Sequence, residues 1–579
     1  MSVLFISGGV SMKIRKTGII MALLFIGLAM AVYSGGQQSQ GTAAPAPAAL
    51  APAAAVKTAW PLTPTKQSFS IFAQIGGQTV ENIETNAFTA WYENKTNVHI
   101  NWQVVTSGAS QQIPLKIAAN DLPDGFFGNL TDVQIMTYSL LDKVFVPLTD
   151  SIYKYCPNVL KMLNESEIAR QYSYMPDGNI YSLLRIVDTY NERVSKRAWV
   201  YEPWLKLLGM DLPVTTDDFY NMLVRFKNEI PAKIGVKEVV PFAGALQTNP
   251  ANNEPESYLL NSFIFYERET FLEIQPGGKI AFTANTEDYR EGLRYLNKLY
   301  REGLLSSETW TQNRNGLLSM TEGGDKNILG VAAAMYWGHF TTENGPKGRD
   351  LEFVAIPPLL GPKGVRNAYD RGQLANNGKL CVTTACKNVD LLVQWCDWFF
   401  DADGMMDSGY SMNYGPEGTG WVRALPGELD MNGKQAKYRY LRAVDGKQND
   451  NWFQSPPYYE SAAYIQSVVN DQMNRKEAFG GSETATKYMP YSAFDKKVPF
   501  LYFPMEYMDE LTRLKDSLAN TTTGEVSVYR DRFITGELSL DRDWDNYVAL
   551  LKRIGVDRYV QLYQQMYDDF LKVQASSKR

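Results

Sequence analysis

The stretch Ile113–Asn129, IPLKIAANDLPDGFFGN, decides how the chain is read. Ile113, Lys116 and Ile117 fall at helical spacing, and Asn120 is a residue that accepts the left-handed conformation in which helices end. Pro123 bars any continuation and pushes Leu122 toward extended geometry. Gly125-Phe126-Phe127-Gly128 then predicts a short buried strand. Helix, tight turn and buried strand make one crossover of a parallel sheet. In such sheets the crevice lies outside the carboxyl ends of the strands, which places Gly128 and Asn129 at its lip. An ordinary α/β turn with no ligand fits the same residues.

Working outward, Ser68–Gln74 alternates as a strand and ends in Ile75-Gly76-Gly77. A helix is predicted near 82–95 and a strand over 98–105. Two successive strand–helix–strand units predict a doubly wound α/β lobe. Downstream, Ile180–Leu184 reads as an extended segment able to cross to a second lobe, and Trp199–Leu208 as a strand running into a helix closed by Gly209. Amphipathic helices follow over 217–228 and 286–301, then a buried strand, Ile328–Met335. A further strand and helix are predicted over 379–384 and 389–400, and the remainder as mainly helical.

At 579 residues the chain has room for two or more domains of about 100–200 residues each. A net charge of −6 shows no basic excess, which argues against a nucleic-acid partner. The 12 Trp and 34 Tyr suit a surface that stacks on sugars, and equally an aromatic core. Lys13, Arg15 and Lys16 precede an apolar run over 18–32 that contains Ala29-Met30-Ala31, so residues 1–31 read as a secretory signal. The Gln-, Ala- and Pro-rich residues 32–65 read as a disordered linker. Ser34 stands near where a bacterial lipoprotein carries its acylated Cys, and no Cys precedes Cys156. The expectation is an exported protein, periplasmic or extracellular, without a lipid anchor. Cys156, Cys381, Cys386 and Cys396 match no zinc spacing and are expected as free buried thiols.

Catalytic signatures do not emerge. HExxH and GxSxG are missing, and the two histidines fall inside a strand (His99) and after a Trp-Gly pair (His339). Gly372-Gln-Leu-Ala-Asn-Asn-Gly-Lys379 departs from a phosphate loop: it has one intervening residue too many, and Leu380 replaces the Ser/Thr that would hold magnesium. Asp401-Ala-Asp-Gly404 has too few acidic ligands for a calcium loop. Asp541, Asp543 and Asp545 read as the start of a helix in preference to a glycosidase carboxylate pair. No catalytic residue, metal or cofactor is expected.

Several segments resemble those of the bacterial extracellular solute-binding proteins, family 1, in the large carbohydrate ABC-importer subgroup that are often lipoproteins. NDLPDGFFGN resembles their "GDLPD" turn, and WVYEPWLKLLGMDLPVTTDDFYNMLVRFKN their "R-x-D-W-L-x-x-L-G-L-x-x-P-x-T" signature. YLNKLYREGLL, NYGPEGTGW and FITGELSLDRDWDNYVALLKRIGVDRYVQLYQ follow in the family's order, so the likeness spans about Ser68 to Phe570. Tyr201 stands where the family has Arg, and Pro203 where it has Asp. The resemblance implies a two-lobed periplasmic-binding-protein-like α/β fold of type II, with hinge-linked lobes and a helical C-terminal extension. It assigns 66–190 and 350–405 to the N-lobe, and 191–349 with 406–579 to the C-lobe and helical tail. It further implies a monomer that closes on an oligosaccharide or similar small solute and docks on the membrane permease subunits of an ABC importer. An exported carbohydrate-active enzyme of the glycosidase kind and a secreted adhesin are the alternatives.

The expected ligand wall starts at Trp337. A buried strand ending in Tyr336-Trp337-Gly338-His339 offers a flat ring at a sheet's carboxyl edge, against which a pyranose face packs. Gln74, Asn129 and His339 are expected to hold hydroxyls, and Gly76 and Tyr201 join the set. A second wall is expected from Tyr414, Glu417 and Trp421 on a Gly- and Pro-rich loop. Trp337 plugging the space between lobes, and Trp421 packed inside, are the competing readings.

Overall fold

The quoted stretch lies at the heart of a six-stranded sheet. In this computed structural model the described residues are 59–75, 80–128, 130–247, 253–401, 412–441, 447–453, 455–471 and 475–577. The expected signal, nearly all of the linker, Gly76 and Asn129 therefore lie outside the described residues.

The first sheet holds β1 (Gln67–Gln74), β2 (Val98–Val105), β3 (Gly125–Phe127), β4 (Ser182–Val187), β11 (Leu374–Val382) and β14 (Tyr458–Glu460), in the order β14-β4-β11-β3-β1-β2. β1 runs parallel to β2 and β3, and β14 parallel to β4. β11 is antiparallel to both β3 and β4, so every other strand of the sheet points the same way. The helix before β3 spans Ala109–Ala118, and Asn120 takes the left-handed conformation at φ 54°. This is the stop that Asn120 and Pro123 encode. Phe88, Tyr92 and Trp395 pack beneath the sheet with Trp452, and the Tyr92 hydroxyl donates to the Trp395 carbonyl at 2.5 Å.

The second sheet has β5 (Ala198–Tyr201), β6 (Val240–Ala243), β9 (Leu329–Ala333) and β10 (Phe353–Ile356), in the order β10-β5-β9-β6. β6 and β9 are parallel; β5 is antiparallel to both β9 and β10. The helix Thr216–Ile234 covers it, started by a capping box between Thr215 and Asp218. Its buried face carries Phe219, Met222, Leu223, Phe226 and Ile230, and it ends at Gly235 in the left-handed region. The helix outruns its expected end because Pro231 is tolerated inside it. The helical C-terminal region, Met505–Ala519, Glu525–Thr535, Trp544–Ile554 and Val556–Ser577, shares one core with Glu287–Arg301. Two small ribbons, β7 (Leu272–Gln275) with β8 (Lys279–Phe282) and β12 (Trp421–Arg423) with β13 (Tyr438–Tyr440), complete the strands.

Three strand placements differ from the sequence reading. Ile180–Leu184 does not cross between lobes; β4 stays in the first sheet, and the crossing begins after Val187. β10 pairs with β5, although 350–405 was assigned to the N-lobe. β14 pairs with β4, and Trp421 and Tyr438 join the first sheet's core, although 406–579 was assigned to the C-lobe. In each case a partner distant in sequence decides, and local pattern does not encode such pairing. Cys156, Cys381, Cys386 and Cys396 are all free thiols. Among the described residues no helix is long and apolar enough to cross a membrane.

Candidate functional site

Strand direction fixes where the two sheets meet. β4 leaves the first sheet at its carboxyl edge, and residues 188–197 carry the chain to the start of β5. Ala198 pairs with Ala333, so the start of β5 lies beside the carboxyl end of β9. The return path leaves the end of β10 and enters the start of β11, again joining the same two edges. The carboxyl edges of β1 and β3 on one side, and of β6 and β9 on the other, therefore flank the crossovers. This is the position at which doubly wound sheets hold ligands.

The crossovers are bound to one another by polar contacts. Arg193 Nη2 donates to Asp370 at 2.8 Å, Ser492 Oγ donates to the same carboxylate at 2.8 Å, and Gln373 Nε2 donates to Asp188 at 3.0 Å. The Arg371 N–H donates to the Arg193 carbonyl at 3.0 Å, and that of Ala368 to the Tyr491 carbonyl at 2.7 Å. Arg371 also pairs with Glu192. Beside them a cavity of about 330 Å³ is lined by Lys161, Glu165, Asp188, Lys437, Tyr459 and Ser461, none of which the sequence reading singled out.

On the second sheet's edge, β9 stops at Ala333, and Trp337–His339 forms a turn of 3₁₀ helix. That turn rotates Trp337 inward. The residue is 1% exposed, and its ring stands edge-on to Trp199 with centroids 5.3 Å apart. Trp337 is therefore a core residue of the second sheet here, neither a wall facing solvent nor a plug between lobes. Tyr336 stays half-buried at the edge, its ring 4.7 Å from that of His339. A side chain at position 338 would run into the Tyr336 ring, which explains the glycine. His339 Nδ1 lies 3.1 Å from Asn253 Oδ1. Next to Asn253, Glu254 is buried; burial alone would raise its pKa, but Lys196 and Arg268 beside it hold it down to about 2.

On the first sheet's edge, Gln74 Oε1 accepts the Ala109 N–H at 3.0 Å, starting a helix whose cap residue, Gly108, has no side chain. Gly76 and Asn129 adjoin this edge in sequence, outside the described residues.

The remaining expected residues fall elsewhere. Tyr201 ends β5, and because β5 is antiparallel to β9, it sits at the opposite end of the sheet from Tyr336. There its hydroxyl donates to Glu352 at 2.8 Å and accepts from Arg349 at 3.0 Å. Trp421 is 1% exposed, and its Nε1 donates to the Gly415 carbonyl at 2.9 Å, closing the loop on itself. Tyr414 packs on Tyr440, and Glu417 is exposed beside Arg423. The loop thus folds against β12 and β13, with Trp421 packed inside.

One residue at the edge escaped the sequence reading as a site member. Lys379 sits in β11 level with the carboxyl end of β3, where the Gly128 N–H donates to its carbonyl at 3.2 Å. It is buried, and burial together with the neighbouring Arg185 guanidinium brings its ammonium pKa down to about 8. Its available signal was the Asn-Asn-Gly-Lys run, set aside as a failed phosphate loop.

No family model matches the chain. The fructooligosaccharide ABC transporter substrate-binding protein FusA of Streptococcus pneumoniae is 26% identical over 491 residues, 83% of this chain and 86% of the relative. The chain is similar to this ABC-transporter substrate-binding protein along most of its length. Lipoprotein LipO of Bacillus subtilis is 27% identical over a shorter span of 132 residues, 23% of this chain and 25% of the relative. Among solved structures, FusA in complex with kestose superposes with a TM-score of 0.70 at 22% identity, covering 87% of this chain and 99% of that chain. A solute-binding protein from Bifidobacterium longum infantis, described as HMO-binding and ABC-transporter-associated, superposes equally well at 16% identity, with the same coverage. The fold is thus the two-sheet, type II architecture of those proteins.

Proposed function

We propose that this chain is an exported, non-catalytic receptor that captures an oligosaccharide between the carboxyl edges of its two sheets and delivers it to the permease of an ABC importer. The observation that carries the reading is the likeness to a fructooligosaccharide-binding protein along 83% of the chain. The crossover geometry supports it, because two edges joined by hinge segments close around a solute whenever the solute prefers the closed state. One lobe is built on each sheet. Tyr336 and His339 are the proposed wall of the second lobe, and Gln74 is that of the first. Tyr336 takes the stacking role first expected of Trp337.

The test is calorimetric titration of the purified protein with a panel of oligosaccharides, starting with fructo-oligosaccharides, followed by chromatography of each sugar after overnight incubation. Saturable binding with the sugar recovered intact is the expected result. Shortened sugar would establish the enzyme alternative instead, and an absence of heat with every sugar would remove the receptor.

A further inference from the structure

β11 carries a bulge where the first sheet's carboxyl edge passes β3. Asn376 pairs with Arg185 and Leu380 with Leu183, so Asn377, Gly378 and Lys379 stand opposite the single residue Leu184. Gly378 makes the bulge possible at φ 65°, and the Leu130 N–H donates to its carbonyl at 3.4 Å. Bulges of this kind re-aim side chains, and Lys379 is the charged residue within this one.

The surroundings of Lys379 lack what a buried cation needs. The residue is 8% exposed, and among the described residues no ion pair or hydrogen bond holds its ammonium, which is not one of the polar atoms sealed from solvent. The charge that acts on it is of its own sign, that of Arg185. Arg185 is itself engaged by Tyr458, whose hydroxyl accepts from Nε at 2.7 Å and whose ring lies 5.1 Å away, and the carboxylates of Glu460 and Glu192 also act on it. A buried cation beside a second cation is costly, and an apolar side chain of equal length would remove the cost.

We infer that Lys379, backed by Arg185, forms an anion subsite at the lip of the cleft, and that the oligosaccharide captured there carries an acidic group. The inference rests on the receptor reading above and narrows its substrate class. An anion entering at Gly128 and Lys379 supplies the missing counter-charge, so the cost held in the empty protein becomes selectivity for charged over neutral glycans.

The test compares calorimetric affinities for neutral fructo- and galacto-oligosaccharides with those for oligouronates and sulfated oligosaccharides of matched length. Acidic glycans should bind at least tenfold tighter, and the uronate and sulfate arms tell a carboxylate from a sulfate ester. Lys379→Met should erase that preference while raising the melting temperature of the ligand-free protein; Lys379→Arg should keep the preference. Neutral glycans binding as tightly as acidic ones would overturn this inference and leave the receptor standing. Unchanged acidic-glycan affinity in Lys379→Met would also overturn it. Failure of both glycan classes to bind would remove the receptor reading along with it.

Discussion

Replacing Trp337 with Ala empties a site where the indole stands edge-on to Trp199 inside the second sheet's core. Such truncations cost about 3–5 kcal/mol, so denaturant unfolding of Trp337→Ala should show a loss of that order. Tyr336→Ala should do the opposite: sugar affinity falls roughly tenfold or more, from a stacking contribution of about 1–3 kcal/mol, while the melting temperature stays close to wild type. Equal affinity in Tyr336→Ala would take that ring out of the wall. The run of small and apolar residues before Trp337 made a buried strand legible, but not that the strand stops at Ala333. That early stop decides which of two neighbouring aromatics points inward. The aromatic surplus was ambiguous for the same reason. Trp199, Trp204, Trp337, Trp395, Trp421 and Trp452 are all fully buried, so the surplus goes largely to the core.

At the scale of elements, the bulge in β11 depends on Gly378. A Cβ there would lie 2.5 Å from the Leu130 carbonyl oxygen, and the backbone already has positive φ. Gly378→Ala should therefore lower the melting temperature by several degrees, as expected for about 1–3 kcal/mol of strain. A second element-level device joins two helices. Asp397 Oδ1 accepts the N–H groups of Asn158 and Val159 at the start of Pro157–Glu165, and Oδ2 accepts from Asn158 Nδ2 at 2.9 Å. Burial outweighs these donors and pushes its pKa up to about 7. In the unfolded chain an Asp ionises near 3.9, so between about pH 4 and pH 7 the folded state holds a proton that the unfolded state has lost. Stability contributed by this group should fall as pH rises through that window, with a slope of at most about 1.4 kcal/mol per unit. Asp397→Asn should flatten that slope in pH-dependent urea titrations; an unchanged slope would assign it to other groups. Several helix limits were legible, because Asn120, Thr215, Gly209 and Gly303 mark them locally, while the end of Thr216–Ile234 was not. The 374–378 part of β11 was not, since its Asn and Gly residues are strand members only by virtue of their partners on β4.

At the scale of the whole molecule, Asp370 gathers the crossing segments. It is fully buried and accepts from Arg193, Ser492 and the Gly372 N–H. Asp370→Ala leaves the partly exposed Arg193 guanidinium with only the Asp188 carboxylate, 4.0 Å away, and removes the acceptor of Ser492 and Gly372, which should cost about 1–3 kcal/mol in chemical denaturation. A loss below about 1 kcal/mol would mean that the segments hold together without it. The two-lobed plan was readable from repeated strand–helix units and from the resemblance, while the pairing of β10 with β5 and of β14 with β4 was not. The strand order has one more outcome, in the sequence of events during synthesis. β11 lies between β3 and β4 in space but follows β4 by almost two hundred residues in the chain. A growing chain that has emerged only as far as β10 therefore has both neighbours of β11, β3 and β4, and an open seam between them. The sheet cannot zip shut until Leu374–Val382 arrives, so long-range pairing delays folding until most of the polypeptide is made.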